Sequence, residues 1–370
     1  MERIEADNQD CRLANRARHH APDDPTPLCS VVIPSYNGRH LLSRCLASIE
    51  RHRPADPALP IEVIVSDDAS TDGTAEWLEA AYPEVKLIRA QSNGGFCAAA
   101  NAGIAAAGGR FIQLLNNDTE VAAGWIEAGI APFGDPSAGS VAPLVRVRSE
   151  PALTDSAGDS YNLAGRPTKR GHGRPAGLFA GRPIEEVFGA SGSSAFYRAE
   201  VLKRLGGFDP LYGSYYEDVD LAFRLRWAGY RCFFAPTCLV YHDVSASYDH
   251  GSPSLQRRMS RNAELLFWSN MPAGALALAV VPHLLFLIVQ GLWRAARGRP
   301  WPFLRGKIDA AFCWREILVR RRYRGRLAGT APFRPHFALG PGPTRNNSRR
   351  PAQKSAVART TRSTRRRNCV

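Results

Sequence analysis

The stretch FIQLLNNDTE, residues 111–120, runs from an apolar strand straight into two amides and a carboxylate. Its first five residues suit a strand buried on both faces. Asn116, Asn117 and Asp118 at its tip can be a plain turn, since Asn and Asp are good turn formers. They can equally be a binding edge, since ligands of open α/β sheets collect outside the carboxyl ends of the strands. The neighbouring sequence decides which kind of sheet carries this tip.

Upstream, CSVVI (29–33), IEVIV (61–65) and VKLIR (85–89) are further strand-like runs, and RFIQLL (110–115) completes the set. Helices are expected between them over 39–52, 74–81 and 96–107. The first of these places Leu41, Leu42, Cys45, Leu46 and Ile49 on one face. Regular alternation of strand and helix requires right-handed crossovers and a largely parallel sheet, so the expected class is α/β. Residues 149–189 are rich in Gly, Pro and Arg with no clean period, and read as loops lining a cleft or as a lid. Order returns with a strand at 193–198 and a short helix closed by Gly206-Gly207. An amphipathic helix follows over 217–227, where Val219, Leu221, Ala222, Leu225 and Trp227 alternate with Asp218, Asp220, Arg224 and Arg226. Two strands, 230–235 and 238–242, flank Pro236-Thr237.

The bulk numbers bound the rest. In 370 residues, 44% hydrophobic and 22% charged content is ordinary for a globular protein. The net charge of +14 is nearly all terminal, because residues 317–370 hold 15 Lys and Arg and no acid. Such a basic tail points to anionic lipid or nucleic acid, or to a solvated tail without a partner. No aromatic residue follows Phe337, so specific nucleic-acid binding is not expected. Eight cysteines without a CxxC pair suit a reducing compartment. The opening MERIEADNQD lacks a signal-peptide pattern. Past Leu255 comes a basic amphipathic helix, then 21 mostly apolar residues at 273–293. That length permits a membrane span. Pro282, His283, Gln290 and the flanking Arg residues suit an interfacial or re-entrant helix equally well, and a buried core helix is the third possibility.

Polar residues gather at four strand tips: Pro34-Ser35-Tyr36-Asn37, then Ser66 to Gly73, then Gln91-Ser92-Asn93-Gly94-Gly95, then the opening stretch. Singly they read as helix caps or turns. At successive tips of one parallel sheet they describe a rim for a polar ligand. Asp67 or Asp68 can accept hydrogen bonds from a base or ribose, and Gly94-Gly95 lets backbone come close to a ligand. Asp118 is a hard oxygen donor suited to Mg2+ or Mn2+ beside a diphosphate. In the second half Glu217, Asp218 and Asp220 open a helix, where the dipole favours acids and where a general base could also sit. His242 ends a strand, as a core histidine or as a metal ligand.

Six blocks then fall in order between about Cys29 and His242: VVIPSYNG, IVSDDASTDGT, NGGFCAAANAGI, LLNNDT, GGFDPLYGSYYEDVDLAFRLRWAGY and VYH. Together they resemble the family 2 glycosyltransferases, and most closely their rhamnosyltransferase and galactofuranosyltransferase-like branch. The resemblance implies a GT-A fold and inverting transfer from a nucleotide sugar, UDP- or dTDP-linked. It implies that Pro34, Tyr36 and Asp68 line the base pocket with Asp67 close by, and that Asn93, Gly95, Asn101 and Asn117 border the nucleotide and sugar. Asp118 matches the last acid of the family's DxD-type metal motif, and His242 matches a histidine that helps hold the divalent ion, Mn2+ or Mg2+. Asn116 stands where many members carry the first acid, which leaves strict metal dependence open. Glu217 and Asp218 match the acidic pair, with Asp218 as the catalytic base. The implied acceptor is a hydroxyl of a glycan or lipid-linked saccharide in cell-envelope polysaccharide synthesis. The implied place is the cytoplasmic face of the inner or plasma membrane, reached peripherally or with one embedded helix. The expected organisation is a flexible lead-in (1–27), a GT-A domain (28–250), a membrane-associated helical region (255–320) and a disordered basic tail (321–370). A second reading, prompted by Asn116, is a membrane-tethered nucleotide-sugar-binding protein without catalysis.

Overall fold

The apolar runs read from the sequence become neighbours in one sheet in the computed structural model, which describes residues 26–244, 251–328 and 336–338. The expectations for the lead-in before Thr26, for the end of the domain at 245–250 and for the tail past 338 lie outside the described residues.

The first half alternates as expected: β1 (Cys29–Ser35), α1 (Arg39–Arg51), β2 (Ile61–Asp67), α2 (Thr74–Ala81), β3 (Lys86–Arg89), α3 (Phe96–Ala106) and β4 (Phe111–Leu115). These strands are parallel in the order β3-β2-β1-β4. Next come β5 (Thr119–Val121), α4 (Trp125–Ile130), β6 (Ala138–Val147), β7 (Glu150–Ser156), β8 (Asp159–Asn162), β9 (Pro167–Lys169) and β10 (Glu185–Val187). Then follow β11 (Ser194–Arg198), α5 (Ala199–Arg204), α6 (Glu217–Trp227) and β12 (Arg231–His242). The sheet continues past β4 as β11-β6-β12-β10, with β11 antiparallel to both of its neighbours. Helices cover both faces. Leu42, Leu46 and Trp125 lie in one core, and Ile104, Leu202, Leu221 and Leu225 in the other.

Three expectations change. Residues 231–242 form one strand rather than two. Its pairing with β6 slips between Ala235 and Leu239, and Pro236-Thr237 sit at that slip because Pro cannot donate to a ladder. Residues 149–189 are not simply loops, for they supply β7, the hairpin β8–β9 and β10. The helix at 217–227 is not amphipathic: Asp220, Arg224 and Arg226 are buried with its apolar residues.

Four more helices follow among the described residues, α7 (Pro253–Asn270), α8 (Ala273–Ala295), α9 (Trp301–Phe312) and α10 (Trp314–Leu327), with a short β13 (Phe337–Ala338) beside β8. A boundary at 320/321 therefore falls inside α10 rather than at the start of a tail. The reason is Asp220. Its Oδ1 accepts hydrogen bonds from Tyr212 Oη at 3.1 Å, Asn270 Nδ2 at 2.9 Å and Arg324 at 2.7 Å. Its Oδ2 accepts one from Arg224 Nε at 2.7 Å. Nearby, Arg320 pairs with Asp209 at 2.6 Å. Burial opposes ionisation of Asp220, but the Arg324 and Arg224 charges overcome it and hold the carboxyl far below its usual range.

Removing one partner of a buried ion pair strands the other, at a cost of about 3–5 kcal/mol. Asp220→Ala and Arg324→Ala should each lose roughly that much stability, measured by urea denaturation. The double variant should lose clearly less than the sum, because the two residues act on one network. Since the folded value is depressed, this contribution is complete at neutral pH and is lost as pH falls below roughly 4.

Candidate functional site

In the parallel half of the sheet the strand order reverses between β1 and β4, which is where an open α/β sheet leaves a crevice at its strand tips. The two tips are tied together by Asn117 Nδ2, which donates to Ser35 Oγ at 3.0 Å. Pro34 is buried in β1, while Tyr36 stands half exposed at the rim. The two adjacent acids divide their work. Asp68 accepts backbone N–H groups from both Gly94 and Gly95 at 2.8 Å, so its carboxylate holds the NGG loop. Gly95, at φ +81° and ψ 176°, adopts a conformation closed to other residues and turns the chain into α3. Asp67 accepts Ser70 N–H on one oxygen, while its other oxygen is buried without a hydrogen-bond partner. Asn93 is exposed beside this loop. Asn101 departs from expectation. Its amide donates to Phe208 O and accepts from Phe208 N, both at 2.8 Å, so it clamps the 207–208 turn instead of bordering a ligand.

The tip of β4 meets the end of β12. His242 Nε2 lies 3.3 Å from Asp118 Oδ1, and its Nδ1 lies 2.9 Å from Asp155 Oδ2. Asp155 is fully buried and also accepts from Lys169 Nζ at 2.9 Å, with His172 Nδ1 3.2 Å away. Burial would lower the His242 value, but its hydrogen bonds to Asp118 and Asp155 carry it up to about 9. Burial likewise opposes the Asp155 charge, yet Lys169 and the two histidines hold it well below the usual carboxylate range. Sequence reading missed Asp155, Lys169 and His172, because they sit in the stretch without a period. The available signal was two aspartates, Asp155 and Asp159, in an otherwise Gly-, Pro- and Arg-rich segment.

The acidic pair Glu217–Asp218 faces the same place. Asp218 accepts Gly192 N–H at 2.7 Å and its neighbour Val219 N–H at 2.8 Å. The next residue of that loop, Ser193, accepts Asn116 N–H at 3.0 Å, so one turn spaces the pair from the β4 tip. Tyr215 and Tyr216 just before the pair both have φ of +71°, in the left-handed region that non-glycine residues rarely adopt. Asn262 Nδ2 on α7 pins this turn by donating to the carbonyls of Tyr212, Ser214 and Tyr215. Burial raises the values of Glu217 and Asp218, the first also through the Asp218 charge. Backbone N–H groups and Lys169 hold the Asp218 shift down. A third acid, Asp159, is buried nearby with one oxygen unpartnered, and burial plus the Asp218 charge raise it well above normal.

The set brings several carboxylates and one imidazole together at the β4 tip, a chemistry suited to a cation and to accepting a proton. Asp118 and His242 present a carboxylate oxygen and an imidazole nitrogen to one another, with Asp155 orienting the ring as metal-bound histidines are usually oriented. These donors suit Mn2+ or Mg2+. Among the described residues no group of three or more His, Cys, Asp or Glu could hold a metal ion. A cation here would therefore need oxygens from the ligand itself.

Comparison with known proteins shows what the chain is similar to. Residues 30–206 match the profile of Glycosyl transferase family 2, and residues 177–296 that of Glycosyl transferase family group 2. N-acetylglucosaminyl-diphospho-decaprenol L-rhamnosyltransferase of Mycobacterium tuberculosis is 29% identical over 248 residues, covering 60% of this chain and 78% of that protein. Pre-mycofactocin glycosyltransferase of the same organism is 28% identical over 218 residues, 58% of this chain and 42% of its own length. Among solved structures, GalNAc-T7 with UDP, GalNAc and Mn2+ superposes with a TM-score of 0.51 at 19% identity, over 66% of this chain and 48% of that one. That likeness is one of fold, and it is the GT-A fold expected above.

An acid with a raised folded value adds stability below its unfolded value, roughly pH 4, and loses it as pH rises. Asp159→Asn removes that loss. The melting temperature of the variant relative to the parent should therefore climb as pH rises above about 4. A difference that is flat with pH would mean that Asp159 is ionised in the folded protein.

Proposed function

Because the chain belongs to glycosyl transferase family 2 and is a glycosyltransferase, we propose that it moves a sugar, with inversion, from a nucleotide-diphosphate sugar to an acceptor hydroxyl. The observation that carries this reading is the convergence of Asp118–His242–Asp155 and Glu217–Asp218 on the β4 tip through the Gly192-Ser193 turn.

Each residue has a task in it. Tyr36 and Pro34 flank the base, and Asp67, with its unpartnered oxygen, accepts from the base or ribose. Asp68 acts one step back by shaping the Gly94-Gly95 backbone against which the nucleotide lies. Asn93 and Asn117 border the same edge. Asp118 and His242 would hold a divalent cation, whose chemistry is to stabilise charge on the departing diphosphate. Asp155 keeps the His242 ring oriented for that work. Asp218 accepts the proton of the acceptor hydroxyl as that oxygen bonds to the anomeric carbon. On the opposite face the bond to the diphosphate breaks, and its electrons leave with the nucleotide. Both Asp218 oxygens receive backbone N–H groups, yet each retains a lone pair for that proton. The raised Asp218 value brings it closer to working pH, which favours a general base.

The acceptor we infer is a glycan or lipid-linked saccharide of the cell envelope, met at the cytoplasmic face of the membrane. The diphospho-decaprenol in the name of the mycobacterial relative and the apolar length of α8 support this choice. The donor is UDP- or dTDP-linked, as in the sequence reading.

Asp218→Asn should lower turnover by about 10²- to 10⁴-fold while leaving donor affinity within a few-fold, followed by release of nucleoside diphosphate from the full-length protein. Near-parental turnover would remove Asp218 from the mechanism. Asp155→Asn should weaken Mn2+ binding in the presence of nucleoside diphosphate by about 10- to 100-fold, measured by calorimetry. An unchanged affinity would place the cation away from His242.

A further inference from the structure

Helix α8 is long and apolar enough to cross a bilayer, yet, although little of it is buried, it touches the rest of the protein near its start, at its middle and near its end. Near its start, Leu276 lines one pocket with Trp268 of α7 and Trp314 and Leu318 of α10. At its middle, His283 is buried and stacks on Phe267 with ring centroids 3.7 Å apart. Its Nε2 lies 3.1 Å from Glu264, and its Nδ1 lies 2.9 Å from Ala164 O in the β8–β9 turn. That turn passes so closely that a Cβ on Gly165 would stand 2.7 Å from the imidazole. At its end, Arg294 covers the Phe303 ring at 4.8 Å, and Phe303 O accepts Ser260 Oγ at 2.7 Å. Start and middle thus meet α7 at successively earlier residues, and the end meets Phe303 of α9, which is itself bonded to Ser260 of α7. Both ends of the helix therefore belong to the same body. A crossing helix would carry one end about 30 Å away through hydrocarbon, and Glu264 and Lys307, paired at 2.7 Å beneath His283, would be drawn in after it.

The opposite face of α8 is bare. Leu278, Val281, Leu285, Ile288, Val289 and Leu292 follow helical spacing and are 57–72% exposed. Trp301, Ile308, Phe312 and Trp314 continue the apolar exposure onto α9 and α10. Residues 294–328 contain 11 Lys and Arg against two acids, Asp309 and Glu316, and Arg297, Arg299, Arg305 and Arg315 are exposed. Trp and Arg at the border of an apolar face match the interfacial zone of a bilayer with anionic headgroups. A second copy of the chain would instead bring these cations against their own kind.

We propose that α8, α9 and α10 form a docking face for an anionic lipid bilayer, on which α8 lies in the plane of the membrane with both ends on one side. The face adjoins the turn before Glu217 and Asp218, because α7, which α8 meets, pins that turn through Asn262 Nδ2 to the carbonyls of Ser214 and Tyr215. Docking would therefore hold the acceptor side of the site against the lipid surface. Only that last consequence rests on the transferase reading.

The test uses the full chain with Cys11, Cys313 and Cys369 changed to Ser. Single cysteines are introduced by Gly274→Cys and Ala296→Cys, one at each end of α8. In inside-out membrane vesicles from expressing cells an impermeant maleimide should label both, and in intact protoplasts neither. Labelling of one position in each preparation would mean that the helix crosses and would overturn the proposal. In parallel, purified protein should float with phosphatidylcholine vesicles containing phosphatidylglycerol, more weakly without it, and less at high salt. Leu285→Glu with Ile288→Glu should cut the bound fraction by at least about tenfold while release of nucleoside diphosphate with a soluble acceptor is kept. No flotation with either lipid, together with a dimer in sedimentation, would assign the face to a second copy. Neither labelling nor flotation requires turnover, so an inactive protein that still docks would count against the transferase reading alone.

Discussion

A single buried carboxylate, Asp220, sets the terms for the rest of the molecule. An ion taken out of water is costly unless charges and hydrogen bonds replace the water. Asp220 finds those replacements in four separate places: the turn before α6, α6 itself, the end of α7, and α10. Each donor comes from a different segment, so no segment can move away without leaving a charge uncompensated. This requirement fixes the start of α6, where Glu217 and Asp218 sit, more firmly than apolar packing alone could. It also helps the strained left-handed turn at Tyr215-Tyr216 persist, since Asn262 of α7 donates to Tyr215 O and the Asp220 N–H of α6 donates to Tyr216 O.

The same logic shows where sequence reading succeeds. Short apolar runs that alternate with helical periods have essentially one arrangement, and β1 to β4 with their helices follow it closely. Strand tips rich in Asn, Asp and Gly then mark the ligand edge without any coordinate. Asp118 and His242, picked out by ordered motifs far apart in the chain, are 3.3 Å apart in the fold.

What was not legible has a common physical cause. Asp155 acts through contacts 14 and 87 residues away, and nothing near it in the chain signals either. Burial of Asp220, Arg224 and Arg226 inverts the ordinary rule that charged positions mark the solvent face, because their partners lie on other elements. Asp68 and Asn101 illustrate the reverse case. Both sit in motifs that suggest ligand contact, and both spend their polar atoms on neighbouring backbone. A motif identifies the residues that shape a site and does not say which of them touches what is bound.

The position of Arg324 near the end of the described chain also has a meaning in time. Protein emerges from the ribosome from its N-terminus, and the Rossmann-like strands can associate early. The pocket around Asp220 cannot close until α10 has emerged, and α10 follows the apolar α8. A nascent chain thus presents its most lipid-seeking segment before its catalytic helix is locked. Prematurely terminated products would carry the nucleotide-facing half without a finished acceptor half. In synthesis order the segment suited to membrane capture is therefore available before the network around Asp220 is complete.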